Sequence, residues 1–252
     1  MLEILARNSI KLVPGYPAVY IDKTRDLIIA DLHLGFEEEA SKAGVYIPRL
    51  QLRKGIEMLR DLHEKTPARR LVIDGDLKHT FDKLTIQERE ETTKFLAVAK
   101  DLFSEVILVR GNHDNYVTIV TERFDVEVLE AYRPTNEILV VHGHKEPEVH
   151  DYNIIIIGHE HPALRIEDEL GAIAKIPCFL IVPLKEGAIA LVLPASGYYQ
   201  TGNDVTCNPE NYLSPIIRGK GDVENAIPVI YGKEFGLMEF PVLKCFAKPA
   251  SP

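Results

Sequence analysis

The run Leu27-Ile28-Ile29-Ala30-Asp31-Leu32-His33-Leu34-Gly35 decides how the rest of the chain is read. Four apolar residues of β type end in a carboxylate and an imidazole two positions apart. In an extended chain, residues two apart point to the same side, so Asp31 and His33 are placed to grip one ion together. Taken alone the pair says little, because a single His at a strand end is ordinarily a hydrogen-bonded surface or core residue. Its weight comes from four later runs that end in the same kind of chemistry.

Leu71-Val72-Ile73 is followed by Asp74-Gly75-Asp76-Leu77-Lys78-His79, and Val106 to Val109 by Arg110-Gly111-Asn112-His113-Asp114. Ile138 to Val141 leads into His142-Gly143-His144, and Ile154 to Ile157 into Gly158-His159-Glu160-His161-Pro162. Five strand ends therefore present metal-type ligands: Asp31 with His33, Asp76, Asn112 with His113, His142 with His144, and His159 with His161. Gly-Asp and Gly-Asn pairs are common in turns, but turns do not account for imidazoles and carboxylates recurring at five strand ends. Open α/β sheets place ligand sites at strand carboxyl ends, so these groups are expected to converge. Carboxylate, imidazole and amide oxygen without thiolate suit Mn²⁺, Fe or Zn²⁺ better than Cu⁺ or an iron–sulfur cluster. The ligands are too many for one tetrahedral ion. Two ions sharing a carboxylate, roughly 3.5–4 Å apart, fit better and clamp the oxygens of a phosphoryl displacement.

The surrounding pattern is α/β. Ala18 to Ile21 and Leu27 to Ala30 read as a hairpin across Asp22–Asp26. A short helix is expected over Phe36 to Lys42. A second opens at Pro48, with Leu52, Ile56 and Leu59 as its apolar stripe. Thr85 with Glu88 fits a capping box that starts a helix to about Lys100, with Phe95, Leu96 and Ala99 facing inward. Another short helix is expected from about Asn115 to Arg123. Beyond it strands follow one another, ending with Cys178 to Val182 and Ala188 to Leu193. From about Ser196 the periodicity fades into a segment rich in Gly, Asn and Pro, expected to be irregular and to shape a substrate pocket. Alternating units first and consecutive strands later suit two packed sheets flanked by helices. No domain boundary is evident, and 252 residues suit one domain spanning residues 1–252.

Net charge is -9, so no global basic field advertises nucleic-acid coating. Two divalent cations would still outweigh the carboxylates at the site and leave it attractive to a phosphate ester. Three widely spaced cysteines give no disulfide framework and favour a reducing compartment. The first residues carry an early acid and no long apolar run, so a cytoplasmic protein without a membrane partner is expected.

The ordered set Asp31-x-His33, Gly75-Asp76, Gly111-Asn112-His113-Asp114, His142-Gly143-His144 and Gly158-His159-x-His161 resembles the motifs of the calcineurin-like metallophosphoesterases. Gly75-Asp76-Leu77-Lys78-His79, Pro177-Cys178-Phe179 and Leu193-Pro194-Ala195-Ser196-Gly197 are similar to the branch called DNA-ligase-associated or ICC-like phosphoesterases. The resemblance implies a four-layer α-β-β-α sandwich of two mixed sheets with a two-metal centre. One metal would take Asp31, His33, Asp76 and His161, the other Asp76, Asn112, His142 and His159, with Asp76 bridging. Mn²⁺ is the expected metal, with Fe, Zn²⁺ or Ni²⁺ as alternatives. A hydroxide activated by both metals would attack phosphorus, while His113 stabilises the transition state or protonates the leaving oxygen. Asp114 would orient His113, and Asn112, His79 and His144 are candidates to touch the substrate. His79 departs from many relatives, which carry an acid or Asn there, and also reads as a plain surface histidine. His63 and His150 have no motif context.

The function implied is a metal-dependent phosphoesterase, foremost a phosphodiesterase acting on a nucleotide or nucleic-acid end. The alternative is a scaffold of the same fold that docks on DNA-repair machinery with little activity. Every motif ligand is present, which favours the enzyme. A DNA-repair protein and a second copy of the chain are further candidate partners.

Overall fold

The hairpin that opens the motif series is built as β2 (Val19–Ile21) and β3 (Asp26–Ala30), paired antiparallel with Val19 opposite Ile28. In this computed structural model, which describes residues 2–147, 151–167, 173–185 and 187–245, every residue of β3 is buried. Before the hairpin come α1 (Leu2–Arg7) and β1 (Ile10–Leu12), neither of which stands out in the sequence. Next follow α2 (Phe36–Lys42), α3 (Gln51–Lys65), β4 (Arg70–Asp74), α4 (Ile86–Leu102), β5 (Glu105–Val109), α5 (Thr118–Thr121) and β6 (Glu127–Leu129). Strands β1 to β6 form one six-stranded mixed sheet in sequence order, parallel from β3 onward.

Among the described residues the second sheet has nine strands. It comprises β7 (Tyr132–Thr135), β8 (Ile138–Val140), β9 (Ile154–Ile157), β10 (Pro162–Glu167), β11 (Ile173–Pro183), β12 (Ile189–Val192) and β13 (Asn203–Asp204). After α6 (Pro215–Lys220), β14 (Ile227–Gly232) and β15 (Gly236–Glu239) complete it. Strand β9 lies parallel between β8 and β12 and is buried on both faces. That placement is why its sequence is an unbroken run of four isoleucines instead of an alternation.

Side-chain alternation along the strands produces the layers. Leu27 and Ile29, Leu71 and Ile73, and Val106 and Leu108 pack outward against Leu59 and Leu62 of α3 and Phe95, Leu96 and Ala99 of α4. Their alternates Ile28, Ala30, Val72 and Val109 turn inward and meet Ile138, Val140, Ile154, Ile156, Ile181 and Leu191 of the second sheet. The far face of that sheet, with Ile155, Ile157, Leu180 and Val182, is covered by Ile216 and Ile217 of α6 and by Val223. The result is the expected four-layer α-β-β-α sandwich, with a thin outer layer on the second sheet.

Three expectations need correction. The helix assigned to open at Pro48 begins at Gln51, because the main-chain N–H of Gln51 is taken by the Glu37 carboxylate and Pro48 instead lends its carbonyl to the Tyr199 hydroxyl. The short helix of Asn115 to Arg123 is a four-residue turn continued by a 3-10 turn at Glu122–Phe124. The segment after Ser196 is not irregular throughout: β14 pairs with β11, placing Val229 opposite Phe179. Pro228 hides this strand in the sequence, since Pro is normally excluded from a sheet interior. It is tolerated because the ladder to β15 begins only at Val229.

Candidate metal centre

All five motif segments leave the carboxyl ends of their strands and meet where the two sheets face each other. Five candidate ligands, Asp31, His33, Asp76, His159 and His161, have backbone φ between 45° and 63°, in the left-handed region. Non-glycine residues rarely adopt it, and such strain concentrates where the surrounding structure over-determines a functional geometry. Two glycines are required by close approach. A Cβ at Gly75, whose φ is +76°, would overlap the His142 ring, and a Cβ at Gly111 would overlap the Asp76 carboxylate.

The side chains fall into adjoining groups, Asp31 with His33 and His161, Asp76 with His142 and His159, and a third in which His33 meets His79 and His113 without a carboxylate. In the first, His161 Nε2 lies 3.1 Å from Asp31 Oδ1 and 3.3 Å from His33 Nε2. In the second, His142 Nε2 lies 3.3 Å from Asp76 Oδ2 and 3.2 Å from Asn112 Oδ1. Asp76 Oδ2 is also 3.9 Å from His33 Nε2, so this one oxygen faces both groups. The imidazole of His142 is held by Nδ1–H donating to the Asp74 carbonyl at 3.0 Å, which points Nε2 at the Asp76 and Asn112 oxygens. Acceptors converging on one point need a cation between them. The set of Asp, Asn and His donors fits two divalent ions.

With no cation between them, the acids draw a proton onto one of the imidazoles instead. Burial opposes a charge on His142, but Asp76, Asp31 and Asp74 outweigh it and lift its pKa to about 10. Burial drives His33 the other way, to about 3, so it stays a neutral donor. Burial also works against charge on Asp31 and Asp76, yet neighbouring imidazoles, His161 for Asp31 and His142 for Asp76, hold both below the ordinary carboxylate range. The pocket as a whole stabilises positive charge beside ionised carboxylates.

His113 stands at the edge, with Nε2 3.9 Å from Asp76 Oδ2 and its side chain 26% exposed. Its Nδ1–H donates to the His79 carbonyl, so Nε2 faces outward over the site. The partner implied for it, Asp114, is engaged elsewhere. The Asp114 carboxylate accepts 2.9 Å hydrogen bonds from the N–H groups of Leu77 and Gly111, tying together the loops that carry Asp76 and Asn112. His79 is not a plain surface residue: its Nδ1 is 3.4 Å from His33 Nδ1. His144 lies outside both groups, its ring centroid 5.4 Å from that of His142 and 6.1 Å from that of His159. His63 packs against Phe103 away from the site, and His150 is outside the described residues.

Supporting residues hold the ligand loops in place. Gln51 is buried at the start of α3 and donates to the Leu32 carbonyl, while its Oε1 accepts from Tyr199 N–H. The segment after β12 closes on the ligand loops through Ser196 N–H to the Ala30 carbonyl at 2.8 Å and Gly197 N–H to the Asp31 carbonyl at 3.0 Å. In sequence Gln51 is only a polar residue at a helix start, whereas Ser196 and Gly197 belong to the Leu193–Gly197 stretch already singled out.

The chain belongs to the calcineurin-like phosphoesterase family, whose model matches residues 25–163. Members bind two divalent metals and hydrolyse phosphate esters with them, and the two ligand groups here fit that chemistry. Among solved structures, the chain is similar to the nuclease MPE of Pseudomonas putida. The two are 20% identical, the match covers 92% of this chain and 100% of that one, and the TM-score is 0.60, a likeness of fold. A protein of unknown function from Aquifex aeolicus, AQ665, is 22% identical over 54% of this chain and 78% of that one, with a TM-score of 0.37. A search of curated proteins found no match. Among the described residues no helix is long and apolar enough to cross a membrane.

Proposed function

We propose that the protein is a phosphodiesterase acting on a nucleotide or nucleic-acid ester, with Mn²⁺ as the working metal. The observation that carries this reading is the pair of ligand groups joined at Asp76 Oδ2, beside an imidazole that belongs to neither. Asp31, His33 and His161 would hold one ion, and Asn112, His142 and His159 the other, with Asp76 shared. Ions so held supply Lewis-acid polarisation of the phosphoryl oxygens and an acidified attacking water. The protein's own part is to fix and to protonate. His113, pinned through Nδ1–H to the His79 carbonyl, presents Nε2 to the leaving oxygen and gives it a proton. Asp114 keeps the loops of Asp76 and Asn112 in register.

The name of the nuclease-fold neighbour points to a phosphodiester substrate. Within the family, Gly75 to His79 and Leu193 to Gly197 favour the DNA-ligase-associated branch. The test is hydrolysis of bis-p-nitrophenyl phosphate and p-nitrophenyl phosphate by stripped protein reloaded with Mn²⁺. Diester turnover exceeding monoester turnover is expected, and cleavage of the monoester alone would refute the diesterase assignment.

A further inference from the structure

An unbroken path of ring contacts leads out of the centre to solvent. The Phe81 ring meets His113 edge-on at 5.7 Å, and His113 stacks on His79 at 5.8 Å. His79 meets Phe36 at 5.0 Å, Phe36 stacks on Tyr199 at 5.8 Å, and Tyr199 meets Tyr198 at 5.1 Å. The two ends of this arc are open: Phe81 is 56% exposed and Tyr198 53%. One exposed Phe is unremarkable. What sets Phe81 apart is how firmly its backbone is held while its ring is left bare.

The loop that carries it is fastened from below. Lys78 is fully buried, and its ammonium donates to the carbonyls of Thr80 and Lys83. Burying an ammonium is costly unless its hydrogen bonds are met, and here they are met by this loop. Glu88 accepts from the N–H groups of Thr80 and Thr85, and Asn115 Nδ2 donates to the Phe81 carbonyl at 2.8 Å. A rigid, solvent-facing ring beside the proton donor is a preformed stacking surface.

Resting on the phosphodiesterase reading above, we propose that Phe81 stacks the unpaired base of the leaving-group nucleoside, with Phe36, Tyr199 and Tyr198 continuing the platform. The side is set by His113: the oxygen it protonates belongs to the leaving group, and Phe81 is its outward neighbour. A base inside a duplex has both faces covered by its neighbours, so the platform selects an unpaired or terminal nucleotide. Aromatic platforms tolerate every base, because each has a π-face.

The test compares kcat/KM on thymidylyl-thymidine with that on the same diester lacking the leaving-group thymine. The wild type should prefer the base-bearing substrate by about tenfold, as one stacked base warrants. Phe81→Ala should bring the ratio near one, and Phe81→Trp should restore it. No preference in the wild type, or an equal loss on both substrates in Phe81→Ala, would overturn the proposal. Failure to hydrolyse any diester, bis-p-nitrophenyl phosphate included, would count against the phosphodiesterase reading instead, and an equilibrium measurement then decides. The chain has no tryptophan, so Phe81→Trp carries a single reporter. Its emission should be quenched saturably by an oligothymidylate and not by an abasic strand of equal length; equal responses to the two, or none, would refute base stacking.

Discussion

At the residue scale, two side chains separate holding metal from turning over substrate. The His113 ring meets His33 edge-on at 5.2 Å and comes within 3.9 Å of Asp76, while the 2.9 Å hydrogen bond to Asp76 Oδ1 is made by its main-chain N–H and survives loss of the side chain. His113→Ala should therefore keep its metal, measured by elemental analysis, and lose turnover by about 10²–10⁴-fold, the range for a general acid. Loss of metal together with activity would contradict its place at the edge. Asp76 faces both groups with one oxygen, and Asp76→Asn should lower occupancy of both ions, where a plain one-site ligand would affect one. Much of this was legible in sequence, because imidazoles and carboxylates that follow one apolar run after another point to a shared ion site at the strand ends. The role of Asp114 was not. An acid beside His113 reads as its partner, whereas the fold spends both Asp114 oxygens on main-chain N–H groups that only tertiary structure brings near.

At the scale of elements, an ion pair within the first sheet is tied to the second sheet through the Tyr132 hydroxyl. Asp26 of β3 is fully buried and accepts from Arg70 of β4 at 2.8 Å and from the Tyr132 hydroxyl of β7 at 2.9 Å. Arg70 is 27% exposed and keeps Glu105 as a partner, so removing Asp26 costs mainly the buried acceptor of the Tyr132 hydroxyl. Asp26→Ala should lower unfolding stability in urea by about 2 kcal/mol, and a change under about 0.5 kcal/mol, the size of an ordinary surface substitution, would show that the contact is not structural. The capping box of Thr85 and Glu88 was readable as a local pattern, and the structure contains it. That the same Glu88 also fastens Thr80 was not readable, because one sequence signal conceals the second use. Strand β14 failed for a related reason: Pro228 carries a strong local meaning that its position in the sheet overrides.

At the scale of the molecule, the centre exists only where the sheets meet. The first sheet supplies Asp31, His33, Asp76, Asn112 and His113, and the second supplies His142, His159 and His161. The inward faces of both sheets pack as one apolar core beneath this seam, so ligand geometry depends on their relative position. The segment after β12 is part of the same construction through β14 and its contacts to Ala30 and Asp31, and it cannot be removed as a separate pocket wall. The most direct measurement is a titration of metal-stripped protein with Mn²⁺, reading bis-p-nitrophenyl phosphate hydrolysis against equivalents bound. Activity should rise until two ions are bound per chain and then level off. Full activity with one ion bound, or turnover independent of added metal, would contradict a centre in which both sheets hold a divalent ion across Asp76.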